Sequence, residues 1–210
     1  MKLLKQTLCL VSLLVLTIAI NARAQSTDES GNADEPGAVA AKQLASRDPL
    51  VRQHAAEELA RLEATDQRRL VEGYRLEEKN ARVKLALEWA LYRMGKSESL
   101  FPLVRALDST RSDQATAYLN TLEKPDALYF FLERMNGNTQ VKLLETLAKI
   151  GDAGTLDKIK PYSESFDPKI AEAAKKAARE IEQRAGQTPA NTTTRPRQVG
   201  SGESSRLSSP

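Results

Sequence analysis

The chain has 210 residues, 40% hydrophobic and 28% charged, with 31 Lys+Arg against 28 Asp+Glu, one His and one Cys. A formal charge of +3 is small for a surface built to hold nucleic acid or anionic lipid. One thiol excludes an internal disulfide and Cys-ligated zinc, and one imidazole means that any His-based metal site would need carboxylates for its other ligands.

Lys2 and Lys5 precede an apolar run from Leu8 to Ile20, and Ala22-Arg23-Ala24 offers a small-x-small cleavage site before Gln25. This predicts a secretory signal peptide over residues 1–24 rather than a transmembrane helix, because the run is short and polar residues follow it. Cys9 lies inside the run, far from the cleavage site, so it does not read as a lipoprotein anchor. Cleavage after Ala24 leaves 186 residues without cysteine. It removes three basic and no acidic residues, which brings the mature formal charge to zero. The expected location is the periplasm or the exterior, with no integral membrane segment and no nucleic-acid partner.

Residues 25–37 are polar, and residues 186–210 are rich in Gly, Ser, Thr and Pro. Neither segment has enough apolar side chains to offset the entropy of ordering, and both are expected to be disordered. Asn191-Thr192-Thr193 matches the N-glycosylation pattern, which the bacterial style of the signal makes irrelevant. Arg195, Arg197 and Arg206 give the tail weak positive charge only. Residues 38–185 remain, the size of one domain.

Within them apolar residues recur at helical spacing: Val51, Ala55, Leu59 and Leu62 in one segment, and Val83, Leu87, Leu91 and Met94 in another. Asp48-Pro49, Lys124-Pro125 and Asp167-Pro168 place proline just inside a helix start, and Gly95, Gly137, Gly151 and Gly186 sit where helices should stop. Asn136-Gly137 reads as a left-handed helix stop rather than a hairpin, since its flanks have helical period. About ten helices result, arranged in pairs. The second of each pair is expected near Pro49, Lys79, Arg111, Asn138 and Pro168, at steps of 30, 32, 27 and 30 residues. A steady period of this size signals a repeat array.

Asp48-Pro49-Leu50-Val51-Arg52 with Ala55-Ala56, Leu59 and Leu62 is echoed by Asp167-Pro168-Lys169-Ile170 with Ala174, Ala178 and Ile181. Asn80-Ala81-Arg82-Val83-Lys84 with Leu87, Leu91 and Met94-Gly95 is a further copy, as is Val141, Leu144, Leu147 and Ile150-Gly151-Asp152-Ala153. Leu91, Leu119 and Leu147 are 28 apart, and so are Leu100, Leu128 and Leu156. The pattern of an acid or Asn, Val-Arg, Ala-Ala, Leu and a small-Gly-Asp turn resembles HEAT repeats, particularly the short type of phycobilisome-lyase-like proteins. The copy from Arg111 to Leu122 departs from it, with neither Val-Arg nor a Gly turn. Tetratricopeptide spacings of Trp, Gly and Tyr are absent. The resemblance implies an all-α fold, an armadillo-like α-solenoid of about five hairpins, since one such hairpin cannot bury its apolar face alone. In the last helix Ile170, Ala174, Ala177 and Ile181 would face inward. Glu172, Lys175, Lys176, Arg179, Glu180 and Glu182 would face water, with Glu172 pairing with Lys176.

No Asp-x-Asp loop, His-Glu-x-x-His, Gly-rich phosphate loop or Gly-x-Ser-x-Gly occurs. His54 has only Glu57 and Glu58 within a turn and reads as a surface or helix-packing residue. Glu57-Glu58 and Glu77-Glu78 read as solvated faces. No catalytic, metal or cofactor site is expected. Leu85, Trp89 and Tyr92 form a second stripe on the Val83–Met94 helix, with Arg82, Lys84, Glu88 and Arg93 around it and Tyr118 one repeat on. By the resemblance second helices line the concave face, so Leu85, Trp89, Tyr92, Arg82, Arg93 and Tyr118 are the candidate binding residues, with Trp, Tyr and Arg typical of hot spots. The competing and preferred view is that Trp89 fills a gap between repeats. Tyr129 and Phe130 carry the same ambiguity beside the core stripe Leu128, Phe131, Leu132 and Met135. The implied function is an exported scaffold binding a protein or peptide; the alternative is an accessory factor to an enzyme or cofactor-attachment system.

Overall fold

The structure, a computed structural model, describes residues 36–187. The expected signal peptide, residues 25–35 of the expected linker and residues 188–210 of the expected tail lie outside the described residues; residues 36–37 and 186–187, expected in those disordered segments, are helical, so Gly186 is not the helix stop expected of it.

All regular structure among the described residues is helical. Ten α-helices follow one another: α1 Pro36–Gln43, α2 Pro49–Leu62, α3 Arg68–Glu77, α4 Ala81–Arg93, α5 Leu100–Ala106, α6 Ser112–Leu119, α7 Asp126–Arg134, α8 Gly137–Ile150, α9 Ala153–Ile159 and α10 Pro168–Gln187. Short 3-10 turns occupy Thr65–Gln67, Ser97–Ser99 and Lys160–Glu164. The even-numbered helices begin within two residues of the expected second-helix starts.

Their starts are fixed by local chemistry. Asp48 accepts from the Leu50 N–H at 2.8 Å ahead of Pro49, and Asp167 accepts from Lys169 N–H at 2.9 Å ahead of Pro168. Asn80 accepts from the Arg82 and Val83 N–H groups. Each satisfies backbone donors that the helix itself leaves open, worth on the order of 1 kcal/mol. Asp152 and Thr155 form a reciprocal capping box at α9. α6, in the divergent copy, has no side-chain cap and is the shortest of the second helices, at 8 residues. Asn136-Gly137 departs from expectation. Gly137 is left-handed, with φ +56, but it opens α8 rather than closing α7, which ends at an extended Met135. Pro125 sits at the N-cap of α7, one residue before the helix.

The described residues divide between Thr121 and Leu122 into two compact units, a division that the even repeat spacing does not announce. In the first unit α2 packs on α1 and α4, and α4 also meets α3, α5 and α6. Ala55, Ala56, Leu59 and Ala60 of α2 are buried, the small side chains allowing close approach; Val51, expected on that stripe, is exposed. Leu91 and Leu119 are buried at equivalent places on α4 and α6. In the second unit α8 packs on α10, and α10 on α9 and the Lys160–Glu164 turn. Leu147 is buried there, as are all of Ile170, Ala174, Ala177 and Ile181. The ion pair on α10 runs from Lys176 to Glu180 at 3.9 Å, where Glu172 to Lys176 was expected. Phe131 joins the core and Phe130 stays exposed beneath the Arg134 guanidinium at 4.1 Å. Tyr129 is half-buried, its hydroxyl 2.8 Å from Thr155 Oγ1.

Arg52, from the Val-Arg motif, staples the first two hairpins. Its guanidinium forks onto Glu78 at 2.7 and 3.0 Å and donates to the Ser46 and Arg47 carbonyls. Glu78 also accepts from the Asn80 N–H at 2.7 Å. The Arg52 hydrogen bonds hold the Glu78 carboxyl below the usual carboxylate range. A depressed folded-state pKa contributes stability above the unfolded value and loses it as pH falls. Arg52→Ala is therefore expected to cost about 2 kcal/mol at neutral pH. The gap to wild type should narrow below about pH 4 as Glu78 protonates in both proteins. Thermal unfolding of the two proteins at neutral pH and at about pH 3.5 checks this; a gap that widens in acid would refute it.

Candidate functional site

Helix α4 carries Arg82, Leu85, Trp89, Tyr92 and Arg93 along one side. Trp89 is 6% exposed, Leu85 also 6%, and Tyr118 from α6 is 8% exposed. The Trp89 ring stacks with Tyr118, with centroids 5.6 Å apart and planes within 4°, and with Tyr92, at 5.8 Å and 24°. Arg93 lies 5.7 Å from the Trp89 centroid and pairs with Glu63.

The stack is tied to α2 by a polar chain. Tyr118 donates its hydroxyl proton to Glu57 at 2.6 Å, and Gln114 donates to the Tyr118 hydroxyl at 2.8 Å and to the Arg82 carbonyl at 3.0 Å. Gln53 donates to Glu57 at 2.9 Å, and His54 Nδ1 lies 3.4 Å from the same carboxylate. Burial, and then the Glu57 carboxylate, push the Tyr118 phenol well above its ordinary range, so it remains a proton donor at any physiological pH. Burial also raises Tyr92. One polar ladder thus crosses three successive second helices, α2, α4 and α6, and holds them in register.

This corrects the exposed-anchor reading of Leu85, Trp89 and Tyr118. All three are packing residues, because the flat face of Trp89 fills the space in front of Tyr118 on the next second helix. Tyr92 and Arg93 are half-buried, and Arg82 alone of the six is exposed. Glu88, expected beside the stripe, is 5% exposed and pairs with Arg75 of α3 at 3.0 Å. His54 is exposed, as expected.

Arg82 instead belongs to a different constellation. With Gln53, Thr110, Arg111, Asp113 and Gln114 it lines a cavity of about 190 Å³ at the N-terminal ends of α4 and α6. Neither the Arg82 nor the Arg111 guanidinium is paired with a carboxylate among the described residues. Gln114 is fixed there by its two hydrogen bonds. Such an arrangement suits an anionic group presented from solution.

No family model matches this chain, and no curated protein matches it in sequence. The chain is similar to the crystal structure of an engineered protein, at 18% identity over 69% of this chain and 78% of that one, with a TM-score of 0.34. That degree of likeness carries no argument about fold or function.

Among the described residues no group of three or more His, Cys, Asp or Glu side chains is placed to hold a metal. No helix there is long and apolar enough to cross a membrane. Arg111 and Gln114 were not singled out as site residues from sequence, and Glu57 and Glu78, read there as parts of solvated faces, are instead half-buried partners of Tyr118 and Arg52. Aligning Leu59 with Leu91 as equivalent core leucines sets Glu57 opposite Trp89, and that register is the signal that leads to the ladder. The first helices of the first unit expose apolar side chains too: Val39, Leu70, Leu76 and Phe101.

Proposed function

We propose that the chain is an exported α-solenoid of the HEAT-like kind, a scaffold that binds an acidic protein segment or peptide along the face of its second helices. The observation that carries this reading is the pair of guanidinium groups outside any ion pair, Arg82 and Arg111, which outweigh the single carboxylate of Asp113 around one small cavity in a face braced by the Glu57–Tyr118–Gln114 ladder. A rigid mount limits the ordering cost of binding, and two cations sharing a cavity select a carboxylate. Five helix pairs at a step near 30 residues, with equivalent buried leucines, support the solenoid. The apolar run and small-x-small site of residues 1–24 support export.

Fluorescence anisotropy of the mature protein with matched acidic and lysine-rich peptides tests the reading. Acidic peptides should bind, more weakly as salt rises. Arg82→Glu with Arg111→Glu should reduce that binding at least about tenfold. Because Arg82 is exposed and Arg111 only half-buried outside any ion pair, the unfolding temperature should move little. Equal retention of both peptides, or an unchanged affinity in the double variant, would refute it.

A further inference from the structure

In the second unit a groove of about 590 Å³ runs between α9, the Lys160–Glu164 turn and α10. Its floor is apolar: Leu156, Ile159, Ala174 and Ala178. Lys160, Lys175 and Arg179 stand on its rim, and none of them is in an ion pair among the described residues. Asp157 and Glu182 line it too, which leaves one net positive charge.

The same unit carries an apolar side chain with nothing to cover it. Phe166 is fully exposed, whereas Phe130 and Phe101 are about half covered. A phenyl ring left in water forgoes roughly 2–3 kcal/mol of burial. Phe166 sits in Ser163-Glu164-Ser165-Phe166-Asp167, so the ring is flanked by two acids. Its position is fixed on both sides: Ser165 N–H donates to the Tyr162 carbonyl, and Asp167 caps α10.

The ring does not enter its own groove: it is fully exposed, although Ser163, three residues earlier, lines that groove. Ala174 and Ala178 lie 8 and 12 residues further along the chain, or roughly 12–18 Å at the helical rise. Pro168 and the Asp167 cap hold the loop at the start of the helix. A second chain can bring the ring in from outside, and its acidic flanks then meet the unpaired Lys160, Lys175 and Arg179.

We infer that two copies of this chain pair through their C-terminal units, Phe166 of each entering the Leu156–Ala178 groove of the other, with Glu164 and Asp167 against the basic rim. A reciprocal exchange closes the contact on itself and yields a two-fold dimer rather than a filament. The inference is independent of the acidic-peptide reading of the first unit.

Sedimentation equilibrium of the mature protein, from about 1 µM to several hundred µM, tests it. Wild type should pass from monomer to dimer as concentration rises, less readily at high salt. Phe166→Ala should remain monomeric, and so should Ala178→Trp, which fills the groove. Mixing these two variants should restore a heterodimer through the one intact loop and the one intact groove. Lys175→Glu with Arg179→Glu, both solvent-facing, gives a groove variant that does not depend on repacking and should also stay monomeric. A wild type that stays monomeric throughout, or Phe166→Ala dimerising as wild type does, would overturn the inference.

Discussion

Trp89→Ala destabilises the first unit by about 3–5 kcal/mol, the range for deleting a large buried aromatic. The ring is 6% exposed and stacks with both Tyr118 and Tyr92. Removing it leaves a cavity beside the buried Tyr118 phenol. Urea unfolding followed by circular dichroism measures the loss, and Tyr92→Ala, at a half-buried position, should lose well under half as much. A Trp89→Ala protein within about 1 kcal/mol of wild type would mean that the ring is a surface group after all. Since Trp89 is the sole tryptophan, its emission in the wild type should be blue-shifted and should move red with the unfolding of this unit. Loss of a binding partner in a Trp89 variant would therefore report unfolding before it reported recognition, and Arg82 with Arg111 are the proper probes of the face.

Gly151→Ala should damage the second unit by about 2–3 kcal/mol, by crowding rather than by dihedral strain. Gly151 has an ordinary φ of −67. An added Cβ would lie 2.5 Å from the Leu147 carbonyl oxygen, 2.9 Å from Thr155 Cγ2 and 3.0 Å from Ile181 Cδ1. The first of these is backbone at the end of α8, and the Gly151 N–H donates to that same oxygen at 2.7 Å. Relief would have to break the α8 terminus or push α10 away. Gly154→Ala, three residues on in the first turn of α9, meets only Asp152 Oδ1 at 3.3 Å and should change stability by less than about 1 kcal/mol. Thermal unfolding of the two variants side by side separates them; equal stability would contradict the close approach.

The Gly-Asp turn shows how far a repeat pattern can be read. The position of Gly151 was legible because a helix stop followed by Asp at an N-cap is a local signal, and the same holds for Asp48-Pro49, Asn80 and Asp167-Pro168. Core leucines at 28-residue spacing were legible because equivalent second helices bury equivalent positions. The direction of Trp89 was legible only as a preference for packing over exposure. Helical period finds an apolar stripe, but α4 has neighbours on several sides, and a second stripe can serve another neighbour as well as solvent. Glu88 misled for a related reason: its partner Arg75 is 13 residues away on another helix, and no spacing rule links them. Arg111 escaped notice because the copy that holds it lacks the Val-Arg and Gly signals that fix the register elsewhere. Phe166 escaped notice as one aromatic in a polar loop, and only its complete exposure beside a basic-rimmed groove marks it out.

The claim on which the account rests is that recognition belongs to the second-helix face. A photo-crosslinking amino acid placed in turn at Arg82, Tyr92, Leu76 and Phe101 of the protein, in cells that produce it, tests this position by position. Capture of one and the same acidic polypeptide from Arg82 and Tyr92, and not from Leu76 or Phe101 on the first helices, is the predicted result. Capture confined to the first-helix positions would contradict the claim.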